Sequence, residues 1–342
     1  MPGDSDGGVG MPEDDAESEI NRAVRILRDG GLVAIPTETV YGLAADASNP
    51  VAVRRLYEVK GRPPGHPVIV HIAGVQPLPR WAARVPEDAR RLAEAFWPGP
   101  LTLILPRTLA AVDEVTGGRE TVGLRVPDHP LTLALLRAFG GGVAAPSANR
   151  FGRVSPTSAE DVRADLGDDV DLVLDGGPCG VGVESTIVDC SEDGETPVIL
   201  RPGGITAEQI EAVLGHPVRR TPDGPSRAPG MLPAHYAPHA QVVVVEDLDA
   251  ALALAAKQAQ AGDRAGLLTP RAVAVPPGVM ALVGGDSPEA YAATLYDRLR
   301  AADRLGLDVL IAVPPPAEGV GVAVRDRLAR AAAGSEPKGG GS

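Results

Sequence analysis

Six prolines crowd residues 217–240 (PVRRTPDGPSRAPGMLPAHYAPHA), and no apolar period runs through them. Proline fixes its own φ and has no backbone donor, so such a segment makes neither a helix nor a central strand. A chain of 342 residues broken in this way is expected to fold as two units, one on each side of the break. The break is not a Gly/Ser tether: Met231, Leu232 and Tyr236 are apolar anchors that should pack on something.

Before the break, apolar runs of strand length alternate with helical periods. Residues 18–31 set Ile20, Val24 and Leu27 on one helical face and stop at Gly30-Gly31. Strands are expected at 32–35, 67–72, 101–105, 122–126, 142–145, 172–174, 185–189 and 198–200. Helices are expected at 50–60, 86–96, 129–139, 157–166 and 206–214, the last two opening on capping-box pairs, Thr157/Glu160 and Thr206/Gln209. That alternation predicts an α/β fold with a twisted mixed sheet. After the break, strands at 242–245, 266–268, 279–283 and 308–313 alternate with helices at 248–261, 288–304 and 320–333, a smaller Rossmann-like α/β unit. The expected division is a disordered acidic tail at 1–18, a larger domain at 19–216, a proline-rich linker at 217–240, a C-terminal α/β domain at 241–333 and a flexible tail at 334–342.

The net charge of −13 needs dividing before use. Seven acids and no base stand in the first 20 residues, and residues 21–240 carry a net of only −4. No broad basic face follows, which argues against nucleic acid as the main partner. Two cysteines, Cys179 and Cys190, are too few for a disulfide framework or a four-thiolate zinc site. Without a secretory signal or an uninterrupted apolar span, a cytoplasmic protein with no membrane contact is expected.

The motifs start with absences: no P-loop, dinucleotide fingerprint, H-E-x-x-H, C-x-x-C or G-x-S-x-G occurs. His235 and His239 stand four apart, but Pro233 and Pro238 oppose the helix that would pair them on a metal. Four constellations remain. Pro36-Thr37-Glu38-Thr39-Val40-Tyr41-Gly42 breaks a strand into hydroxyls and a carboxylate, either a ligand turn or a plain one. Lys60, the only lysine of the first 256 residues, stands two before Arg62 at a helix end. Together they suit a polyphosphate, a point charge beside a planar fork, or else merely answer the helix dipole. Ala145-Pro146-Ser147-Ala148-Asn149 follows a strand of small residues that lets a ligand approach the backbone. Glu184-Ser185-Thr186 and Arg201-Pro202-Gly203 set polar groups at strand ends, and Arg125 is a strand-borne cation suited to a carboxylate or a structural ion pair.

Taken in order and spacing, P-T-E-T-V-Y-G-L, K-G-R-P, P-V-I-V-H-I, W-P-G-P-L-T, G-L-R-V-P, A-P-S-A-N, E-S-T-I-V-D and L-R-P-G resemble the YrdC-type threonylcarbamoyl-AMP synthase family from residue 19 to about 215. The linker and second unit resemble its longer two-domain form. The resemblance implies a nucleotidyltransferase that converts L-threonine, bicarbonate or carbon dioxide, and ATP into L-threonylcarbamoyl-AMP and pyrophosphate. A separate tRNA threonylcarbamoyltransferase would take the product on to N6-threonylcarbamoyladenosine, with direct tRNA binding weak or absent.

Carried over by motif position, Thr37, Thr39, His71, Arg125 and Ser185 would bind threonine. Lys60, Arg62, His66, Thr121, Ser147, Asn149, Ser155 and Arg201 would surround ATP. Lys60 and Arg62 would stabilise the reacting phosphate, both being expected to carry charge at neutral pH. Two positions depart from the family: His66 stands where Asn is common, and Ala145 where some members have Thr. No carboxylate pair announces a metal site, so Mg²⁺ is expected with the triphosphate. The linker is expected to lie over the site as a lid held by the second domain. The rivals are a related carbamoyl-adenylate enzyme of hydrogenase maturation, which would bring zinc-finger cysteines, and an RNA-binding module without adenylate chemistry.

Overall fold

A computed structural model describes residues 13–192, 194–220 and 235–335. The strands of the larger unit are β1 (Val33–Ile35), β2 (Gly42–Asp46), β3 (Ile69–His71), β4 (Leu101–Pro106) and β5 (Thr121–Arg125). They continue as β6 (Val143–Ala144), β7 (Leu172–Val173), β8 (Thr186–Asp189), β9 (Val198–Arg201) and β10 (Arg219–Arg220). All ten join one mixed sheet in the order β10-β9-β8-β4-β5-β3-β6-β2-β1-β7. The helices packed around it are α1 (Glu13–Arg28), α2 (Pro50–Lys60), α3 (Leu78–Trp81), α4 (Glu87–Phe96), α5 (Asp113–Thr116), α6 (Pro130–Phe139), α7 (Ala159–Leu166) and α8 (Ala207–Leu214).

Several expectations shift. Residues 13–18, expected in the acidic tail, open α1 instead. The remainder of that tail, up to residue 12, lies outside the described residues, as do 221–234 of the linker and the end of the chain from 336. Strand β2 was not expected, because Gly-Leu-Ala-Ala-Asp has no β-branched residue; it forms by pairing antiparallel with β1, Ile35 opposite Gly42. The cap of α7 is Ser158, which accepts from Asp161 N at 3.2 Å, while Asp161 accepts from Thr157 N. The Thr157/Glu160 box is therefore moved on by one residue. The Thr206/Gln209 box forms as expected.

The smaller unit has strands β11 (Gln241–Val244), β12 (Ala265–Thr269), β13 (Val279–Val283) and β14 (Val309–Ala312), all parallel, ordered β11-β14-β12-β13. Its helices are α9 (Leu248–Gln260), α10 (Pro288–Arg304) and α11 (Gly321–Gly334). Ala265, Leu267, Val309 and Ile311 cluster with α9, whereas Leu268, Leu310 and Ala312 cluster with α10 and α11. Side chains alternate along a strand, so α9 covers one face and the α10/α11 pair the other. That second cluster also takes in Val40, Val154, Val183 and Tyr236. The two sheets thus share a core through α10 and α11.

Candidate active site

Local sequence decides where the site forms. Helix α2 is capped by Asn49, carries Pro50 at its first position and ends at Gly61 in the left-handed region (φ 63°). That stop leaves Lys60 facing inward, 2% exposed, with Nζ donating to the carbonyls of Ser147 and Asn149. The Phe151 N–H returns a bond to the Lys60 carbonyl, tying the A-P-S-A-N turn to the helix end. Arg62 is 7% exposed and donates to the Pro67 carbonyl at 2.9 Å, its guanidinium near the Tyr57 and Phe151 rings. Among the described residues, neither cation has a carboxylate within ion-pair distance. Lys60 Nζ turns away from its own helix to carbonyls of the A-P-S-A-N turn, so its hydrogen bonds do not go to the helix end.

Strand ends close the other walls. Arg125 at the end of β5 donates to Glu38 at 2.6 Å and to the Thr39 hydroxyl at 3.0 Å. Thr37 bonds the Thr39 hydroxyl and the Val40 carbonyl, so it builds the turn that carries Glu38. His71, on β3 two strands' width from the turn, is buried; that burial, and then the Arg125 charge, hold its imidazole down at about 3. Arg201 at the end of β9 donates to the Ser185 carbonyl at 2.8 Å and to its hydroxyl at 3.2 Å, and Ser185 also bonds Thr102. The turn behind this contact requires Gly203, where a Cβ would stand 2.3 Å from the Glu184 carbonyl.

Thr37, Thr39, Lys60, Arg62, His71, Arg125, Ser147, Asn149, Ser185 and Arg201 all line one cavity. Three expected residues stand outside its lining. Thr121 pairs with Pro106 at the start of β5, and the His66 ring stands edge-on to Phe151, 5.9 Å away. Ser155 is fully buried and donates to Glu184 at 2.7 Å. Three lining residues with polar side chains were not singled out beforehand as ligands: Glu184, His235 and Tyr236. Glu184 was visible inside its motif. The His235-Tyr236 pair was visible only as an aromatic anchor in the linker. The space left is about 50 Å³, room for a few waters, and His235 and Tyr236 form part of its wall. His239, in contrast, is exposed, and its backbone N–H donates to Asp303.

Buried cations, oriented hydroxyls and glycine turns at the strand ends of a mixed sheet define an α/β protein built to hold a small polar anion. A family model described as "Telomere recombination" (Sua5, YciO, YrdC) matches residues 25–203, and one described as "Threonylcarbamoyl-AMP synthase, C-terminal domain" matches 205–333. The threonylcarbamoyl-AMP synthase of Bacillus subtilis is 46% identical over 327 residues, covering 93% of this chain and 94% of that protein. The Pyrococcus abyssi protein of the same description is 42% identical, covering 92% and 94%. A crystal structure of P. abyssi Sua5 with L-threonine superposes with a TM-score of 0.87 at 41% identity, over 93% of this chain and 95% of that one. A histidine-and-tyrosine double-alanine variant of P. abyssi Sua5 gives a TM-score of 0.88 at 40% identity, over 93% and 94%. The chain belongs to the threonylcarbamoyl-AMP synthase family, in the form that carries both domains.

Proposed function

We propose that this protein joins L-threonine, carbon dioxide or bicarbonate, and ATP into L-threonylcarbamoyl-AMP with release of pyrophosphate. One observation carries the reading from the structure itself. Among the described residues six buried side-chain nitrogen or oxygen atoms lack a hydrogen-bond partner. Four of them, Arg62 Nε, His71 Nδ1, Asn149 Oδ1 and His235 Nδ1, belong to residues lining this one cavity. Unpaired buried polar atoms are costly, and their convergence on one space calls for a polar ligand. Two relatives described as threonylcarbamoyl-AMP synthase, together covering nearly the whole chain, support the same substrates.

In this reading the threonine carboxylate lies at Arg125 and its hydroxyl side near Thr37, Thr39 and Ser185. The amine adds to carbon dioxide and sheds a proton, giving a carbamate. A carbamate oxygen then attacks the α-phosphorus of ATP, and the bond to the β-phosphate oxygen breaks as pyrophosphate leaves. Lys60 and Arg62 take up negative charge on the phosphate oxygens, so positioning and electrostatics dominate. Ser147, Asn149 and Arg201 orient the nucleotide. His235 and Tyr236 would move aside for the substrates and close again over a mixed anhydride that water destroys.

Glu184 on the cavity wall is committed to Arg327 and Glu38 beside the site to Arg125, and no group of three possible metal-ligating side chains converges among the described residues. Mg²⁺ enters this proposal as the triphosphate's counter-ion. Hand-off of the product to a tRNA threonylcarbamoyltransferase completes the proposal. No described helix is long and apolar enough to cross a membrane, and the thiols of Cys179 and Cys190 are buried and unpaired. The buried free thiols agree with work in a reducing cytoplasm.

The test is pyrophosphate release from ATP and Mg²⁺ with threonine or bicarbonate omitted in turn. Release that needs both, with threonine carbon retained in an adenylate, supports the synthase. Release with ATP alone, or tight and steeply salt-dependent tRNA binding without release, overturns it.

A further inference from the structure

Glu184 lines the cavity beside Ser185, yet its carboxylate takes most of its hydrogen bonds from the other domain. One oxygen accepts from Ser155 at 2.7 Å and from the Tyr296 hydroxyl at 2.9 Å. The other accepts from Tyr296 at 2.7 Å and from Arg327 Nε at 2.8 Å. Tyr296 is on α10 and Arg327 on α11, and both are fully buried. The rest of the Arg327 guanidinium bonds Asp326 and the Pro202 carbonyl, next to Arg201, and its carbon stands 5.3 Å from the centre of the Tyr236 ring. Arg300, also on α10, donates to the carbonyls of Val154 and Ser155 and pairs with Asp165. The segment that carries Ser155 is thus held through its backbone by the second domain, while its hydroxyl bonds Glu184.

A carboxylate on the wall of an anion-binding cavity works against its ligand. It repels phosphate, and it competes for the cations that should meet it. We propose that Arg327, seconded by Tyr296, is a positioning residue of the nucleotide site: it neutralises Glu184 from the second domain, so that the cavity shows a phosphate its cations and not a bare carboxylate. The C-terminal domain then supplies part of the electrostatics of the site as well as a lid. This rests on the reading of the cavity as the ATP site.

The test uses the full-length chain as R327M, as E184Q and as both together. ATP affinity is measured by calorimetry and the KM for threonine by pyrophosphate release. Arg327→Met should weaken ATP by about tenfold or more while the KM for threonine stays within about twofold. Adding Glu184→Gln should bring ATP affinity back to that of E184Q alone, a rescue that a purely structural arginine would not give. ATP binding unchanged in R327M overturns the proposal, as does a double variant no tighter than R327M. If R327M fails to fold but the double variant folds and binds ATP, the charge argument stands; if neither folds, Arg327 serves the fold alone and the proposal falls. Wild-type protein that binds no ATP sinks this proposal and the synthase reading together. Wild-type protein that binds ATP without threonine-dependent release sinks only the reading, and the affinity comparison still decides the role of Arg327.

Discussion

Lys60 shows how far a residue can depart from its expected state. Neutral-pH charge is what an amine of ordinary basicity would carry. Burial, and then the like charge of Arg62, pull it well below that value. Its partners are two carbonyls, which solvate an ammonium but do not neutralise it. A triphosphate favours the ammonium form, so ATP binding should be linked to proton uptake as the pH is raised towards the lowered pKa. Calorimetry in buffers of different ionisation enthalpy should read that uptake in the wild type and lose it in K60M. Zero uptake, or net release, by the wild-type protein contradicts the assignment. Arg125 offers a second test, since its guanidinium reaches Glu38 and Thr39 together. Arg125→Lys keeps the charge but loses the planar fork; the KM for threonine should rise about tenfold or more while that for ATP moves little. An equal rise in both would place Arg125 outside the threonine subsite.

At the scale of elements, turn chemistry sets the site and strand pairing closes it. Gly203 lets the turn after β9 lie against the backbone before β8, where a Cβ would be 2.3 Å from the Glu184 carbonyl and 2.4 Å from Thr186 N. Gly203→Ala should therefore cost ~3 kcal/mol of stability by overpacking against backbone that cannot rotate away. A urea midpoint equal to the wild type would show that this turn is softer than the contact distances imply. The elements that could be read from the chain carried their own signals: a cap and a proline at the start of α2, β-branched runs in β3 and β8, a capping box on α8. Strand β2 and the two-residue β10 carried none. They exist because a neighbouring strand completes their hydrogen bonds.

The whole molecule has one shared core at the domain boundary. Val40, Val154 and Val183 pack with Tyr236, Leu295, Tyr296, Leu299 and Leu328. Gly182 approaches so closely that a Cβ would stand 2.3 Å from the Ala292 carbonyl of α10. Cutting the chain after residue 216 should expose this apolar surface and leave Glu184 without its arginine, so the fragment should lose solubility and ATP affinity together. A soluble fragment with full-length ATP affinity and rate would refute both the shared core and the lid. Acid sensitivity is also a property of the assembled molecule. Burial first, then the charge of Arg125, holds His71 down at about 3; burial holds His235 there too, Glu184 opposing and Arg62, Lys60 and Arg327 assisting. Burial pushes the Glu184 carboxyl up, but Arg327 and Arg201 bring it down to about 2. In each case the unfolded chain binds the proton more readily, so stability rises with pH across these windows. The urea midpoint should fall as pH drops from 6.5 towards 3, first through the two histidines and then below 4.5 through Glu184. A midpoint constant from pH 7 to pH 4 would contradict the buried neutral histidines.

The sequence by itself determined which residues meet at the strand ends. Proline, glycine and capping residues act on their own neighbours, so P-T-E-T, K-G-R-P, A-P-S-A-N and L-R-P-G place Thr39, Lys60, Ser147 and Arg201 wherever the strands go. The family resemblance was legible for the same reason. Only the tertiary structure decided that Lys60 is buried with no carboxylate paired to it among the described residues, that His235 and Tyr236 line the cavity, and that Glu184 is answered by Tyr296 and Arg327, which lie 112 and 143 positions away in the chain. Burial and ion pairing are set by whatever the fold brings alongside a group, and no local pattern in the chain encodes that neighbour.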